Sequence, residues 1–390
     1  MLNLKKMTLA FVTAVALTGF AGGTAQDASA SAYSTVSSTS MTKTAYHKKS
    51  TSGAVYNASH TKVVAKLKSY PNTTWYATKK VTLKHNGKKA VYYKVKNGAG
   101  TKSGIVWHKY VVKGAAPFGL KYAKAAVAYD ADSNKTVWSK NGNTARPIAS
   151  VSKIMTLYLV QEKAAGSSGS WSSKVNTSYS GLKRMGLDSA CGGFRFTKNS
   201  YTVKQLFDAA LIDSSNNAAI ALGQWVAGAQ HQPPTKKFIT MMNSQADEWG
   251  LKHTNFVSSS GLEQSDLRTF GYSIGGSDAN MVSANDVAII ADHLITDFPS
   301  TLTTAKVKSM TLSGQTLYNY NNMLPGRKYY SASLNVDGLK TGYTPKAGYC
   351  FVGTGQKSGH NRIITVVLHD ENEFTETKSI MNMAYNKNLL

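Results

Sequence analysis

Ser150 and Lys153 stand three residues apart in Arg146-Pro-Ile-Ala-Ser-Val-Ser-Lys153, directly before the apolar run Ile154-Met-Thr-Leu-Tyr-Leu-Val160. On a helix, positions i and i+3 share a face, so the lysine nitrogen can reach the serine hydroxyl. A serine is a weak nucleophile until a neighbouring base takes its proton. A lysine whose pKa is lowered by burial or by nearby positive charge can serve as that base. The helix N-terminus adds free N–H groups aimed at any anion that forms there. The pair also fits an ordinary helix with a serine cap and a solvated lysine, so it needs company.

Two further segments supply it. Ile212-Asp-Ser-Ser-Asn-Asn-Ala-Ala219 lies between two helical patterns, which places Ser214-x-Asn216 on a turn. Both residue types favour turns as caps, but a hydroxyl there can relay a proton and an amide can hold a peptide backbone. Val336-Asp-Gly-Leu-Lys-Thr-Gly-Tyr-Thr344 precedes a β-rich C-terminal stretch. Lys340 and Thr341 on a strand offer a charge and a hydroxyl to a terminal carboxylate, and the strand edge can take a peptide as an added strand. Gly342 is expected to let that peptide approach closely.

The elements that must position these residues follow from periodicity. Ala125 to Asp130 and Thr136 to Lys140 read as a hairpin around Asp132-Ser133-Asn134. Helical spacing runs over Val151 to Ala165, Val203 to Ile212 and Ala218 to Val226, and a last helix is expected around Thr375 to Ala384. Gly348 to Gly353 and Arg362 to Leu368 are β-rich, joined by a turn at Gly359-His360-Asn361. The pattern predicts an α+β domain over 118–390, an antiparallel sheet with a helical cluster packed on it.

The N-terminal part has a different texture. A basic start, an apolar stretch from Met7 to Phe20 and Ala-x-Ala sites ending at Ala30 or Ala32 have the order of a secretory signal peptide, assigned to 1–30. The apolar run falls short of the roughly 20 residues that span a bilayer. Residues 31–45, rich in Ser, Thr and Ala, are expected to be a flexible spacer. From 46 to 114 short apolar and aromatic runs alternate with turn signals such as Asn86-Gly87, predicting a small all-β domain. Between Tyr33 and Pro117 there are sixteen Lys and no Arg, Asp or Glu, in a chain of net charge +25. Such a surface attracts polyanions, and export makes an anionic wall polymer the expected partner in place of nucleic acid. Cys191 and Cys350 are too few for a disulfide scaffold, and whether they pair is left open. The scattered histidines show no metal-ligand spacing, so neither metal nor cofactor is expected.

Ser-x-x-Lys, Ser-x-Asn and Lys-Thr-Gly in this order are the signature of penicillin-binding proteins and class A β-lactamases. With Pro147-Ile-Ala-Ser150, Ser214-x-Asn-x-Ala-Ala219, Asp337-Gly-x-Lys-Thr-Gly-Tyr-Thr344 and Ala347-Gly-Tyr349, the chain from Phe118 closely resembles the low-molecular-mass D-alanyl-D-alanine carboxypeptidases. Asn255-Phe-Val257 with Ser260-Gly-Leu262 looks like the same family's middle segment. The resemblance implies a β-lactamase/transpeptidase-like fold and an enzyme that removes the terminal D-Ala of peptidoglycan stem peptides and is acylated by β-lactams. It implies Ser150 as nucleophile, Lys153 as general base and Ser214 in a proton relay. Asn216 is to orient substrate, Lys340 and Thr341 to receive the carboxylate, and the backbone N–H groups of Ser150 and Tyr343 to form the oxyanion hole. The segment from Tyr92 to Val111 resembles bacterial SH3-like wall-binding modules, which implies retention at a Gram-positive-type wall through polymers such as teichoic acids.

Some features depart from the family pattern. Asn217 replaces a common Asp, and Leu368-His-Asp-Glu-Asn372 carries no Arg where some relatives place one near the substrate carboxylate. The chain stops soon after its last helix, so it is expected to lack the C-terminal β-domain and membrane anchor of many relatives, and the basic module is expected to replace that anchor. No Glu-x-x-Leu-Asn run follows Ser214, which argues against a β-lactamase. A D,D-endopeptidase shares all three motifs, and a non-catalytic wall-binding protein on the same fold is the remaining alternative.

Overall fold

The computed structural model describes residues 32–49, 52–98, 100–166, 170–228 and 236–390. The expected signal peptide lies outside these residues. The chain divides into two compact units, with the division between Gly119 and Leu120.

The first unit is one antiparallel sheet, ordered β3-β2-β6-β5-β4-β1-β7. Its strands are β1 (Ser34–Lys48), β2 (Ala54–Tyr56), β3 (Val63–Lys66), β4 (Trp75–His85), β5 (Lys88–Asn97), β6 (Ser103–Trp107) and β7 (Val111–Lys113). Fully buried Trp75, Val55, Leu67 and Val106 centre the core, while the lysines stand outside. Asn86 and Gly87, both at positive φ, form the β4–β5 turn, as a two-residue hairpin of that sequence requires. The spacer expected over 31–45 is corrected: from Ser34 onward it is strand β1, paired with β4 from Ser34↔Lys84 to Tyr46↔Trp75. Ser/Thr content suggested a linker, but alternating β-branched Thr suits a strand once β4 presents an open edge.

In the second unit the main sheet runs β17-β18-β19-β8-β9. Its strands are β8 (Ala125–Asp130), β9 (Lys135–Lys140), β17 (Val336–Thr344), β18 (Gly348–Gln356) and β19 (Arg362–Asp370). Short pairings join β10 (Arg146–Pro147) and β13 (Thr254–Asn255) to β14 (Met281–Val282), β11 (Lys174–Asn176) to β12 (Ser200–Thr202), and β15 (Ser309–Leu312) to β16 (Gln315–Tyr318). The helices are α1 (Lys153–Ala165), α2 (Ser180–Met185), α3 (Val203–Ile212), α4 (Asn216–Val226), α5 (Lys236–Glu248), α6 (Gln264–Phe270), α7 (Ala284–Asp297), α8 (Thr301–Ala305) and α9 (Glu373–Asn386).

The N-terminal hairpin β8–β9 joins the C-terminal strands in one sheet, β8 beside β19 with Ile364↔Tyr129 in register. Ten of the thirteen residues of α1 are buried, so it is a core helix, not an amphipathic surface one. Successive strand residues point to opposite faces. On β18, Cys350 faces the carbonyl of Pro147, and Phe351 packs on Phe374 of α9 with ring centroids 5.0 Å apart. The sheet is therefore covered on both sides. β17 is its edge.

Candidate active site

The 3-10 turn Ala149–Ser152 leads straight into α1, so Ser150 sits at a helix start. Ala149 has φ +46°, and the Ser152 hydroxyl donates to the Ala149 carbonyl at 2.7 Å, which fixes the turn. Lys153 is fully buried, and its Nζ has three oxygen neighbours: Ser150 Oγ at 2.8 Å, Asn216 Oδ1 at 2.6 Å and the Ser260 carbonyl at 2.6 Å. Burial, and secondarily the charge of Lys340, hold its pKa well below the usual lysine range. A neutral amine keeps two N–H donors and one lone pair. The amide oxygen and the Ser260 carbonyl, which can only accept, take the two donors. The lone pair is left facing the Ser150 hydroxyl. That is the geometry of a base beside its nucleophile.

Ser214 lies on the turn between α3 and α4 at φ +60°, and Ser215 caps α4 by accepting from the Ala218 N–H. The Ser214 hydroxyl accepts from Lys340 Nζ at 2.9 Å. Lys340 also donates to the Thr341 carbonyl at 3.0 Å. Burial lowers the Lys340 pKa to about 7, opposed by the neighbouring Asp213 carboxylate, whose own pKa burial raises. The two lysines thus each contact one of the two serines.

A cavity of about 710 Å³ opens over this pair, lined by Ser150, Ser214, Asn216, Thr341, Gly342 and Tyr343 among others. Lys153 and Lys340 lie beneath its surface. β17 borders it, with β18 hydrogen-bonded on its other side, so a free backbone edge faces the nucleophile. A Cβ on Gly342 would lie 2.9 Å from the Ile148 carbonyl and 3.1 Å from the Ser150 nitrogen. Glycine is needed because the strand rests on the nucleophile turn. That reason differs from the close substrate approach expected from sequence.

All the residues singled out from sequence therefore converge, with two changes of emphasis. Asn216 holds Lys153 through Oδ1 and donates from Nδ2 to the Cys191 carbonyl at 2.8 Å. Ser214 is bonded to Lys340. Sequence reasoning did not single out the Ser260 and Cys191 carbonyls, Asp213, or the wall formed by Glu373 and Phe374. The Ser260-Gly261 signal was present, but a backbone carbonyl leaves no residue-type signature. Cys191 and Cys350 are both free thiols. Among the described residues no group of three or more His, Cys, Asp or Glu is placed to hold a metal ion.

Comparison with known proteins places this geometry. A family model described as D-alanyl-D-alanine carboxypeptidase matches residues 114–372. The chain belongs to the D-alanyl-D-alanine carboxypeptidase family. It is 30% identical over 254 residues to D-alanyl-D-alanine carboxypeptidase DacF of Bacillus subtilis, covering 63% of this chain and 57% of the relative. It is also 30% identical over 257 residues to DacA of Escherichia coli K12, covering 63% and 56%. The chain thus spans under three-fifths of the length of these curated relatives. Among solved structures it matches PBP3 of Streptococcus pneumoniae, a peptidoglycan synthesis regulatory factor. That match has 36% identity and a TM-score of 0.63, over 68% of this chain and 72% of that one. It matches penicillin-binding protein D2 of Listeria monocytogenes in its ampicillin-bound form at 29% identity and a TM-score of 0.56, over 69% and 100%. The second unit has the mixed α/β transpeptidase-like fold of these penicillin-binding proteins.

Within this family, the Asn at 217 has a local explanation. Its side chain is fully buried, Nδ2 donates to the carbonyls of Phe194 at 2.8 Å and Leu182 at 3.3 Å, and Oδ1 accepts from the Ser215 hydroxyl. A carboxylate could not donate those bonds. Asp337, beside the Lys-Thr-Gly segment, forms a two-pronged pair with Arg362, both contacts at 2.9 Å, which ties β17 to β19 across β18.

Proposed function

We propose that the chain is an exported serine-type D-alanyl-D-alanine carboxypeptidase acting on peptidoglycan stem peptides and acylated by β-lactams. The observation that carries this reading is the Lys153 nitrogen, whose donors are taken by Asn216 and Ser260 while it faces Ser150 Oγ at 2.8 Å. In the proposed reaction Ser150 Oγ attacks the carbonyl between the two D-alanines and its proton passes to Lys153. The backbone N–H groups of Ser150 and Tyr343 take up the oxyanion. The C–N bond then breaks, D-Ala leaves with the proton, and an ester to Ser150 remains. Lys153 then takes a proton from a water whose oxygen attacks that ester, the shortened peptide leaves as the free acid, and Lys153 returns the proton to Ser150 Oγ. Lys340 and Thr341 receive the terminal carboxylate, and the strand edge of β17 holds the peptide. Asn216 holds Lys153 in place as well as orienting substrate, and Ser214 links Lys340 to the proton relay.

Labelled penicillin and mass spectrometry test it together. The wild type should form a covalent adduct and release one D-Ala from a pentapeptide, and Ser150→Ala should do neither. An adduct on Ser150→Ala would remove Ser150 from its role. Cleavage confined to cross-linked dimers would make the enzyme an endopeptidase instead.

We further propose that the first unit is an SH3-like module retaining the enzyme at a Gram-positive-type wall through anionic polymers such as teichoic acids. Sixteen lysines without an acidic residue, on an antiparallel sheet with a largely aliphatic core around Trp75, support this. Retention of residues 33–115 on isolated walls should fall steeply as salt rises. Retention indifferent to salt would sink the electrostatic reading.

A further inference from the structure

Between α2 and β12 the segment 186–193 borders the cavity, and its Cys191 carbonyl accepts from Asn216 Nδ2 at 2.8 Å. Both ends of the segment are fixed by packing. A Cβ on Gly186 would lie 2.7 Å from Asn217 Nδ2, and one on Gly193 would lie 2.8 Å from Ser215 Cα. The tip between them faces solvent: Leu187 is 62% exposed, and Asp188, Ser189 and Ala190 are exposed as well. A backbone on such a tip keeps one direction only if its turn is closed. Asp188 closes it. Its Oδ1 accepts from the Ala190 and Cys191 N–H groups, both at 2.8 Å, and its carbonyl accepts from the Gly192 N–H at 2.7 Å. The Cys191 and Gly192 N–H groups belong to the two peptide units that flank the Cys191 Cα, so Asp188 grips both. In the second unit the carbonyl of Cys191 lies opposite the Gly192 N–H, as in any trans peptide, and so points away from Asp188 toward Asn216.

We propose that Asp188 is a positioning residue for the base, acting on Lys153 through the Cys191 carbonyl and the Asn216 amide. The inference rests on the reading of Lys153 as general base to Ser150. An amide has one accepting end and one donating end, and the Cys191 carbonyl can only accept. It therefore holds Nδ2 on its own side and leaves Oδ1 facing Lys153 Nζ at 2.6 Å. Once that carbonyl turns away, the amide is free to present Nδ2 to Lys153 instead. A donor there competes with the Ser150 hydroxyl for the lone pair of the lysine nitrogen, and the nucleophile loses its base. The carboxylate of Asp188 acts here as an acceptor of two N–H groups, not as a charge.

The test follows acylation of Ser150 by labelled penicillin in Asp188→Ala, Asp188→Asn, Asp188→Glu, Asn216→Ala and the double variant Asp188→Ala/Asn216→Ala. Asp188→Ala should lower the limiting acylation rate about tenfold, short of the roughly hundredfold cost of an ångström-scale misplacement. The half-saturating penicillin concentration should stay within about twofold, because the loss falls on the chemical step. Asp188→Asn keeps the acceptor oxygen without the charge and should stay within about threefold of wild type. Asp188→Glu keeps the charge but displaces the oxygen, so it should be impaired as the alanine variant is. It serves in place of Asp188→Ala if that variant does not fold. In the Asn216→Ala background the loss from Asp188→Ala should shrink below about twofold, since the intermediary is gone. A loss that persists undiminished there overturns the inference, and so does a glutamate variant more active than the asparagine one. A raised half-saturating concentration with an unchanged limiting rate overturns it too, by making Asp188 a ligand contact. A wild type that forms no adduct refutes the carboxypeptidase reading and this inference with it. An adduct with a fully additive pair of substitutions refutes only the inference.

Discussion

Ser260 meets Lys153 through its backbone: the Ser260 carbonyl oxygen lies 2.6 Å from Lys153 Nζ. The next residue, Gly261, has φ +89° and lies so close to the nucleophile turn that a Cβ there would stand 2.0 Å from the Ala149 oxygen. One dipeptide thus orients the base and braces the nucleophile.

Gly261→Ala should displace both groups at once. Expected outcomes are a fall in Ser150 acylation by labelled penicillin of about a hundredfold or more, and a loss of about 2–4 kcal/mol of stability from strain and overlap. Stopped-flow acylation and chemical denaturation measure the two. Unimpaired acylation would show that the turn does not depend on this contact.

Asn216→Asp should separate holding the base from tuning it. A carboxylate 2.6 Å from Lys153 Nζ favours the ammonium, which cannot accept the Ser150 proton. Acylation near pH 7 should fall about 10–100-fold and recover as pH rises, the acid limb moving up by about 2 units. Asn216→Ala should lower the rate without that upward movement, since it adds no charge. Identical pH profiles for the two variants would contradict the assignment.

The wild-type pH dependence follows from the two lysines, which must hold opposite charge states. Lys153 acts neutral, and burial lowers its pKa, so the rate is lost only as pH falls through that lowered value. Lys340 acts charged, and burial brings its pKa to about 7, so capture of a carboxylate is lost as pH rises through that point. kcat/KM, which reports the free enzyme, should therefore be bell-shaped with an alkaline limb near neutrality. A bound carboxylate stabilises the Lys340 charge and should move that limb upward in kcat. With a C-terminal amide substrate the alkaline limb should flatten.

How much of this was legible in the sequence divides by the kind of signal. Ser150, Lys153, Ser214, Asn216 and Lys340 were readable because side-chain chemistry in a fixed order marks them, and α3 because its periodicity and its Thr202–Gln205 capping box agree. The carbonyls of Ser260 and Cys191 were not, because any residue type supplies a carbonyl and only the fold brings it to the lysine. Gly342 was flagged for a substrate's approach, and its closeness to the Ile148 and Ser150 backbone was not foreseen, since a sequence does not say which backbone a glycine must clear. β1 was read as a spacer because strand pairing is non-local, and Ser/Thr composition without an apolar stripe carries no trace of its partner β4. Glu373 was passed over because it differs from a solvated helix-start acid only by the cavity it faces.

Asp370 ends β19 as a buried carboxyl that the proposed chemistry does not use. Its Oδ1 accepts from the Glu371 and Asn372 N–H groups at 2.6 and 2.8 Å, while its buried Oδ2 has no hydrogen-bond partner among the described residues. Burial raises its pKa to about 7, with Glu376 and Glu373 adding to the shift. The folded state thus binds the Asp370 proton more tightly than the unfolded chain does. Stability is then highest below the unfolded carboxyl pKa and declines as pH rises toward about 7. Asp370→Asn keeps an oxygen for the two N–H groups and removes the buried charge. It should raise stability at pH 8 by ~1–2 kcal/mol, or about 2–6 °C in Tm, and change it little at pH 4. Thermal unfolding of both proteins at the two pH values decides this, and an equal gain at pH 4 and pH 8 would assign the effect to packing, not to the charge.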